Sequence, residues 1–343
     1  MKLLRRFLLS LAVAAALLWL LFAWGGVGPA ELAQALRGLE ARTYWTALAV
    51  HLAIHGVRSL RYQVLIPPGH RPGSLAMLAC SSAHNLASYV LPAKTGEATL
   101  VVYLRSLTGL SAARGLASLL VSRLLDLAVL GAAMGAILLA LRGRFPQAPW
   151  MAAVGAAALL GGLALTGLAA VPDRPARLLQ ALLRRLGLES HPFGARLSAK
   201  AGEGIAALRL AAAGPRLALA WLLTAAIWAL VFQFYAVLAR GTGLPGDMGY
   251  LEACLGSSLA VLFNLLPVNG FAGFGTQEAG WKIGFGLLGV PGDVALASGV
   301  AAHLVQLANV VLLGLLGHLW MGIARRPSAP PPAPPAGRGA AGG

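Results

Sequence analysis

Residues Tyr89–Leu100 read YVLPAKTGEATL and interrupt a long apolar stretch of the chain. Within them, Pro92 breaks a helix, Gly96 gives the backbone freedom, and Lys94 and Glu97 bring opposite charges. Irregular backbone and charge are costly at membrane depth, and both are tolerated where they are buried in protein or line a wet cavity. The stretch therefore indicates a membrane segment that is broken to form part of a site.

The composition indicates an integral membrane protein of the all-α class. Of the 343 residues, 58% are hydrophobic and 11% are charged, and the mean hydropathy is +0.75. A soluble domain carries about 25% charged residues, and a helix needs roughly 20 apolar residues to cross a bilayer. The net charge of +16 fits the Lys and Arg that collect in cytoplasmic loops. No nucleic-acid-binding motif accompanies this charge, so we expect no nucleic acid partner.

The apolar blocks predict about six full transmembrane helices and two broken regions. The full spans are residues 7–24, 44–66, 114–141, 149–171, 216–240 and 294–323. Pro and Gly interrupt the regions 73–108 and 249–290. Lys and Arg are in excess near the N-terminus, in 172–215 and in the C-terminal tail, so we expect all three on the cytoplasmic side. This assignment holds if each broken region is a re-entrant helical hairpin, and the alternative is eight transmembrane helices.

The second broken region repeats the order of helix-breaking and charged residues found in the first. Phe263–Lys282 reads FNLLPVNGFAGFGTQEAGWK, with Leu-Pro followed by Gly and then Glu, as in the first region. The segments that begin at Gly109 and Gly289 then align without a gap, an offset of 180 residues that places Arg123 on His303. Three spans separate the two regions, and an odd number of crossings inverts the second copy. The pattern therefore predicts an inverted repeat, in which matching interrupted helices indicate a binding site near the midplane.

We accordingly expect one polytopic membrane domain over residues 1–323. Repeat A covers about 1–141 and repeat B about 149–323, with a cytoplasmic amphipathic linker at 172–215. The linker has leucines on one helical face and arginines off it, which is typical of an interfacial helix and equally of a helix packed on the protein's own cytoplasmic side. The Pro- and Gly-rich tail 324–343 is predicted to be disordered.

Charged and polar residues in the broken regions and in the helices after them form the candidate site. Half-helix N-termini that point into a cavity supply free N–H groups that favour anions. Lys94 with Glu97, and Arg123 with Asp126, have the spacing of ion pairs, and each pair is either functional or purely structural. The candidate substrate-binding and translocation residues are Lys94, Gly96, Glu97, Arg105, Arg123, Asp126, Asn269, Gly273, Gly275, Gln277, Glu278, Lys282 and His303.

A polar stripe also runs along the second span. His51, His55 and Arg58 follow one another at helical spacing on an otherwise apolar helix. Two histidines four residues apart can bind a metal, but no third carboxylate or thiol ligand is near in the sequence, so we expect no metal. The stripe is predicted to line a polar path or to pack against the charged hairpin. Arg61, on the same helix, is expected to snorkel to the cytoplasmic interface.

These motifs resemble those of the lysylphosphatidylglycerol synthase/flippase membrane domain and its stand-alone relatives. The first signature is Pro-x-x-x-Gly-Glu with Arg and Asp on the next span, and the second is Pro…Gly-x-Gly-x-x-Glu with Leu-Gly-Val. The resemblance covers about residues 1–323. Where the family often has Arg, this chain has Gln277 before the second Glu, and Leu100 and Val101 after the first Gly-Glu. The resemblance therefore leaves the identity of the lipid open.

The resemblance implies a translocating domain that stands alone, without the soluble synthase domain. We expect a flippase-like transporter for an anionic phospholipid or a polyprenyl-phosphate-linked lipid, in a bacterial or archaeal cytoplasmic membrane, with both termini cytoplasmic. The alternatives are an accessory protein of envelope lipid or glycan assembly and a membrane-embedded glycosyl-carrier transferase. The sequence has no P-loop, so we expect no ATP and no cofactor. Membrane lipids with anionic head groups are the expected partners, and lipid-modifying or glycosyltransferase proteins are candidate partners.

Overall fold

The computed structural model describes residues 29–91, 96–144, 150–170, 215–265 and 271–324, together with the single positions 181 and 185. Within these residues the chain is α-helical, with short 3-10 turns at Pro68–His70, 96–98, Arg142–Arg144 and Phe271–Gly273 and no β-strand. The helices are α1 (Pro29–Arg37), α2 (Ala41–Leu65), α3 (Ser74–Val90), α4 (Thr99–Thr108), α5 (Ala112–Ala140), α6 (Trp150–Ala170), α7 (Pro215–Gly241), α8 (Tyr250–Leu265), α9 (Thr276–Gly286) and α10 (Gly292–Ala324).

Three helices in the described part of the chain are long and apolar enough to cross a membrane. They correspond to Ala112–Ala140, Pro215–Gly241 and Gly292–Ile323, and two shorter apolar stretches lie at Trp150–Ala164 and Tyr250–Asn264. Helix α2 has 25 residues, which is long enough, but its polar stripe sets it apart from the three. The predicted class, an all-α membrane protein, is confirmed.

The first broken region contains two helices, α3 and α4, and His84 near the end of α3 contacts Thr99 at the start of α4. At the break, a Cβ on Gly96 would lie 2.2 Å from the carbonyl oxygen of Ala87, so only glycine lets the returning chain pack this closely on α3. Thr99 opens α4, and its hydroxyl donates to the Gly96 carbonyl at 2.6 Å. Gly109 ends α4 with φ of 70°, a left-handed conformation that glycine adopts without strain.

The second broken region also contains two helices, α8 and α9, which are antiparallel. A Cβ on Gly284 would lie 2.0 Å from the Gly256 carbonyl oxygen, which shows how closely the two helices approach. Between them, Ala272, Gly273 and Gly275 have φ of 55°, 86° and 87°, so the chain reverses through three left-handed residues. Ala272 is the one non-glycine residue with positive φ among those described, and this conformation costs it about 1 kcal/mol.

The remaining helices hold these two helix pairs together. Helix α2 packs along α7, α3 packs along α10, and α5 packs along α6. The α5–α6 contact is close because small residues face each other, for example Gly135 against Gly155 and Gly162 against Ala128. A large apolar cluster joins residues of α2, α5, α7, α8, α9 and α10 and surrounds the site described below.

Part of the predicted organisation lies outside the described residues. This applies to the span 7–24, to nearly all of the linker 172–215, to all but the first residue of the tail 324–343, and to the site residues Lys94 and Asn269.

Candidate functional site

A chain of ion pairs joins the first broken region to α5 and α2. Arg123 on α5 binds Glu97 through two contacts, Nη2 to Oε1 at 2.9 Å and Nε to Oε2 at 3.1 Å. The predicted i, i+3 pair between Arg123 and Asp126 is also present, but it is looser, at 3.7 Å. Paired N–H donors on one carboxylate are the strong, directional form of this interaction. Arg123 therefore fixes the break after α3 to the middle of α5.

The main partner of Asp126 is Arg61 of α2. Arg61 donates from Nη1 to Oδ1 at 2.5 Å and from Nη2 to Oδ2 at 3.2 Å. Nη1 also donates to the Thr224 hydroxyl of α7 at 3.1 Å. The expectation that Arg61 snorkels to the interface is wrong, because its side chain is only 1% exposed. A buried guanidinium requires a counter-charge, and Asp126 supplies it.

A cavity of about 460 Å³ opens beside these pairs. Its polar lining residues are His51, Arg58, Asn85, Tyr89, Glu97, Arg123, Asp126, Tyr235 and Gln306. Its apolar lining residues are Ile54, Leu127, Ile227, Trp228, Val231, Phe234 and Val261. The cavity therefore offers both polar groups for a head group and apolar surface for hydrocarbon.

Three arginines share two carboxylates at and behind the polar lining of the cavity. Arg58 and Arg123 line the cavity with Glu97 and Asp126, and the buried Arg61 pairs with Asp126 from outside the lining, which leaves one cation in excess. Arg58 is the cation in excess, since it forms no ion pair with any carboxylate among the described residues. The arrangement favours an anionic ligand next to Arg58.

The polar stripe of α2 is divided between the cavity and the protein interior. His51 and Arg58 line the cavity, whereas His55 is fully buried. The two imidazole rings stack with their centroids 5.2 Å apart, and His51 also contacts the ring of Phe234. No group of three or more His, Cys, Asp or Glu side chains that could hold a metal occurs in the described parts of the chain.

A second buried pair lies in the other broken region. His303 Nδ1 is 2.5 Å from Glu278 Oε1, and both side chains are completely buried. The other carboxylate oxygen, Oε2, accepts the Gly275 N–H at 2.7 Å, and His303 Nε2 lies 3.1 Å from the Ala272 carbonyl oxygen. The pair thus binds the backbone of the break at two points, as well as joining α9 to α10.

A hydrogen-bond network connects this second region to the cavity. Gln277, beside Glu278, donates to Gln306 Oε1 at 2.8 Å, and the same oxygen accepts the Tyr235 hydroxyl at 3.2 Å. The amide of Gln306 donates to the hydroxyl of Tyr89. Gln306 thus contacts α3, α7 and α9 at once, so the two broken regions meet through its side chain.

The structure brings together most, but not all, of the predicted site residues. Glu97, Arg123 and Asp126 line the cavity, while Gln277, Glu278 and His303 lie behind Gln306. Gly96, Gly273 and Gly275 form the backbone of the two breaks. Arg105 instead is exposed near the end of α4, and Lys282 lies beside Gly292 at the start of α10, so neither lines this cavity.

Sequence reasoning did not include six polar residues that form part of the site: Arg61, Asn85, Tyr89, Thr224, Tyr235 and Gln306. Two of them carried a usable signal. Gln306 aligns with Asp126 at the offset of 180 residues, and an arginine within a membrane helix requires an anionic partner. Thr224 carried none, because it is identified only by the packing of α7 on α2.

Comparison with known proteins identifies the family. The family model described as the lysylphosphatidylglycerol synthase TM region matches residues 7–314, which is most of the chain. Comparisons with curated proteins and with solved structures give no match. The matched range includes both broken regions, the Glu97–Arg123 pair and the Glu278–His303 pair. The chain therefore belongs to the family of lysylphosphatidylglycerol synthase transmembrane regions, and it is a multi-pass membrane protein.

Proposed function

We propose that this protein moves an anionic lipid, either a phospholipid or a polyprenyl-phosphate-linked lipid, between the two leaflets of a membrane. The observation that carries the proposal is the cavity, because its lining combines an arginine without an ion-pair partner, Arg58, with several apolar side chains. Arg58 has no ion-pair partner among the described residues, and the phosphate of a lipid head group would provide one. Apolar lining residues such as Trp228 and Val231 would pack against the hydrocarbon chains.

We propose a transporter rather than an enzyme. Acid–base catalysis needs a carboxylate or an imidazole that can exchange a proton with the substrate. Both carboxylates of the cavity, Glu97 and Asp126, are bound by arginines through two contacts each. The imidazole in the lining, His51, is packed between the rings of His55 and Phe234. This arrangement supports binding and release of a charged group better than its chemical conversion.

We further propose that the two broken regions are re-entrant hairpins related by inversion. Ile66, Met77 and Leu110 belong to one apolar cluster, which supports placing the start of α3 and the end of α4 near the same face. Gly256 and Gly284 are in contact, which supports the same arrangement for α8 and α9. We propose that the first hairpin opens on the cytoplasmic face and the second on the opposite face, in a bacterial or archaeal cytoplasmic membrane with both termini cytoplasmic.

Labelling of introduced cysteines from one side of the membrane tests this topology. Both native cysteines are buried and should not react with a membrane-impermeant maleimide. We expect Gly69→Cys and Ser106→Cys to react from one side, and Gly246→Cys and Gly286→Cys from the other. If Ser106→Cys reacts from the side opposite to Gly69→Cys, α3 and α4 together cross the membrane and the hairpin assignment is wrong.

A lipid-movement assay tests the function itself. The purified protein is reconstituted into liposomes that contain fluorescent phosphatidylglycerol, a zwitterionic analogue or a polyprenyl phosphate, and label in the outer leaflet is quenched from outside. We expect at least one anionic lipid to change leaflet ten or more times faster than in protein-free vesicles. Glu97→Gln and Arg123→Ala should each slow this movement, whereas Arg144→Gln, which lies outside the cavity, should not. Equal rates with and without protein for every lipid would contradict the proposal.

A further inference from the structure

The two halves of the protein use the same arrangement of residues at their breaks, with one chemical difference. In the first half, Glu97 pairs with Arg123 of the following helix. In the second half, Glu278 pairs with His303, which occupies the aligned position of its own helix. Arginine keeps its proton at any physiological pH, whereas an imidazole nitrogen and a carboxylate can share one proton between them. The first pair is therefore a fixed ion pair, and the second can hold a shared proton.

The geometry shows how many protons the second pair holds. His303 Nε2 faces the carbonyl oxygen of Ala272, which can only accept, so this nitrogen carries a hydrogen. His303 Nδ1 and Glu278 Oε1 are 2.5 Å apart, and a contact this short needs a proton between the two atoms. Whether the shared proton belongs to the imidazole or to the carboxyl group, the pair is neutral overall. A neutral pair is expected because both side chains are fully buried, and an uncompensated buried charge is costly.

No other charged group competes for this proton within the described residues. The cation on α9, Lys282, lies beside Gly292, and Arg123 and Asp126 of α5 are bound in the first half's ion pairs. The titratable groups that approach from α3 and α7, Tyr89 and Tyr235, reach the pair only through Gln306 and Gln277. Whether the pair binds this proton therefore depends on whether Glu278 and His303 are in contact.

We propose that Glu278 and His303 form the proton-binding site that couples lipid movement to a proton gradient; this inference rests on the proposed function. The pair is bonded to the break at the Ala272 carbonyl and the Gly275 N–H, so movement of the break requires these bonds or the pair itself to open. When the two side chains separate, Glu278 departs as a neutral carboxylic acid. It releases the proton where the break opens to water and becomes a carboxylate. Re-forming the buried pair requires the uptake of one proton, which can come from the other side.

Simultaneous measurement of lipid and proton movement tests the coupling. Liposomes that contain the protein, fluorescent phosphatidylglycerol and internal pyranine are placed under a pH gradient. For the unmodified protein, we expect the gradient to speed lipid movement severalfold and a proton signal to accompany it. Glu278→Gln and His303→Gln should abolish the proton signal and make the remaining lipid movement insensitive to pH. Glu97→Gln is the matched control, because it should slow lipid movement but keep the ratio of protons to lipids.

The outcomes separate this inference from the proposed function. Lipid movement that is equally fast with and without the gradient, with no proton signal, overturns the inference and leaves the transport function standing. If no lipid moves under any condition, the transport function fails, and the proton site is then tested directly. In detergent, ¹⁵N NMR of the histidines, assigned with His303→Gln, should show a protonated Nε2 and a hydrogen-bonded Nδ1 that Glu278→Gln shifts. A His303 spectrum unchanged by Glu278→Gln would overturn the proposed site.

Discussion

Asp126→Asn should be among the most destabilising polar substitutions in this protein. Asp126 accepts two hydrogen bonds from Arg61, and the Arg61 side chain is 1% exposed. Asparagine has nearly the same shape but no charge, so it leaves the buried guanidinium without a counter-ion. The other nearby carboxylate, Glu97, is already bound by Arg123 and cannot replace it without breaking that pair.

The size of the effect follows from the burial of Arg61. Removal of one partner from a buried ion pair costs about 3–5 kcal/mol, because the remaining charge is uncompensated. The control is Arg144→Gln, since Arg144 is 69% exposed and its partner Glu252 keeps the hydrogen bond from the Gly249 N–H after the substitution. Solvent screens such a pair, and its loss costs about 0–1 kcal/mol. A gap of about 2–5 kcal/mol is therefore expected between the two variants.

Unfolding of the detergent-solubilised protein, followed by tryptophan fluorescence against denaturant, measures this gap. The double variant Arg61→Met/Asp126→Leu tests the cause, because replacing both charges by apolar groups removes the uncompensated charge. It should recover most of the stability that Asp126→Asn loses. The reasoning is refuted if Asp126→Asn is no less stable than Arg144→Gln, or if the double variant is less stable than Asp126→Asn.

Two further substitutions test the packing of the break and the excess charge. Gly96→Ala should cost about 1–3 kcal/mol in unfolding experiments, because its Cβ would overlap the Ala87 carbonyl oxygen. Gly56→Ala, on an open face of α2, should cost nothing or stabilise the protein, and equal effects of the two would contradict the packing argument. Arg58→Gln should weaken binding of a fluorescent anionic lipid by about tenfold, equivalent to about 1.4 kcal/mol, and leave a zwitterionic lipid unaffected. Equal loss for both lipids would show that Arg58 does not select charge.

The residues at the two breaks could be singled out from the sequence, because Pro, Gly and charged residues stand out within an apolar stretch. Leu-Pro, Gly and Glu recur in both halves, and the gapless offset predicted that Arg123 and His303 occupy equivalent places. In the structure both residues pair with the glutamate of their own half's break. The two ion pairs agree with the alignment at these positions, and the inverted repeat stays a prediction.

The partners of those residues were harder to predict, because they depend on how distant helices pack. The i, i+3 rule predicted Arg123 with Asp126, and that contact is the loosest of the cluster. Asp126 is instead bound by Arg61, which lies 65 residues earlier in the chain. The rule that long cations snorkel misplaced Arg61, since the helix pairing that buries it is absent from the local sequence. For a membrane arginine away from a helix end, an acidic partner is the better first expectation.

The most direct test of the account is cryo-electron microscopy of the protein in nanodiscs made with an anionic phospholipid. We predict density for a head-group phosphate within hydrogen-bonding distance of Arg58, and hydrocarbon density next to the apolar lining residues Trp228 and Val231. In nanodiscs of zwitterionic lipid alone, the density beside Arg58 should be weak or lost. A cavity that holds no lipid in anionic nanodiscs, with lipid bound only on the outer surface, would contradict the central claim.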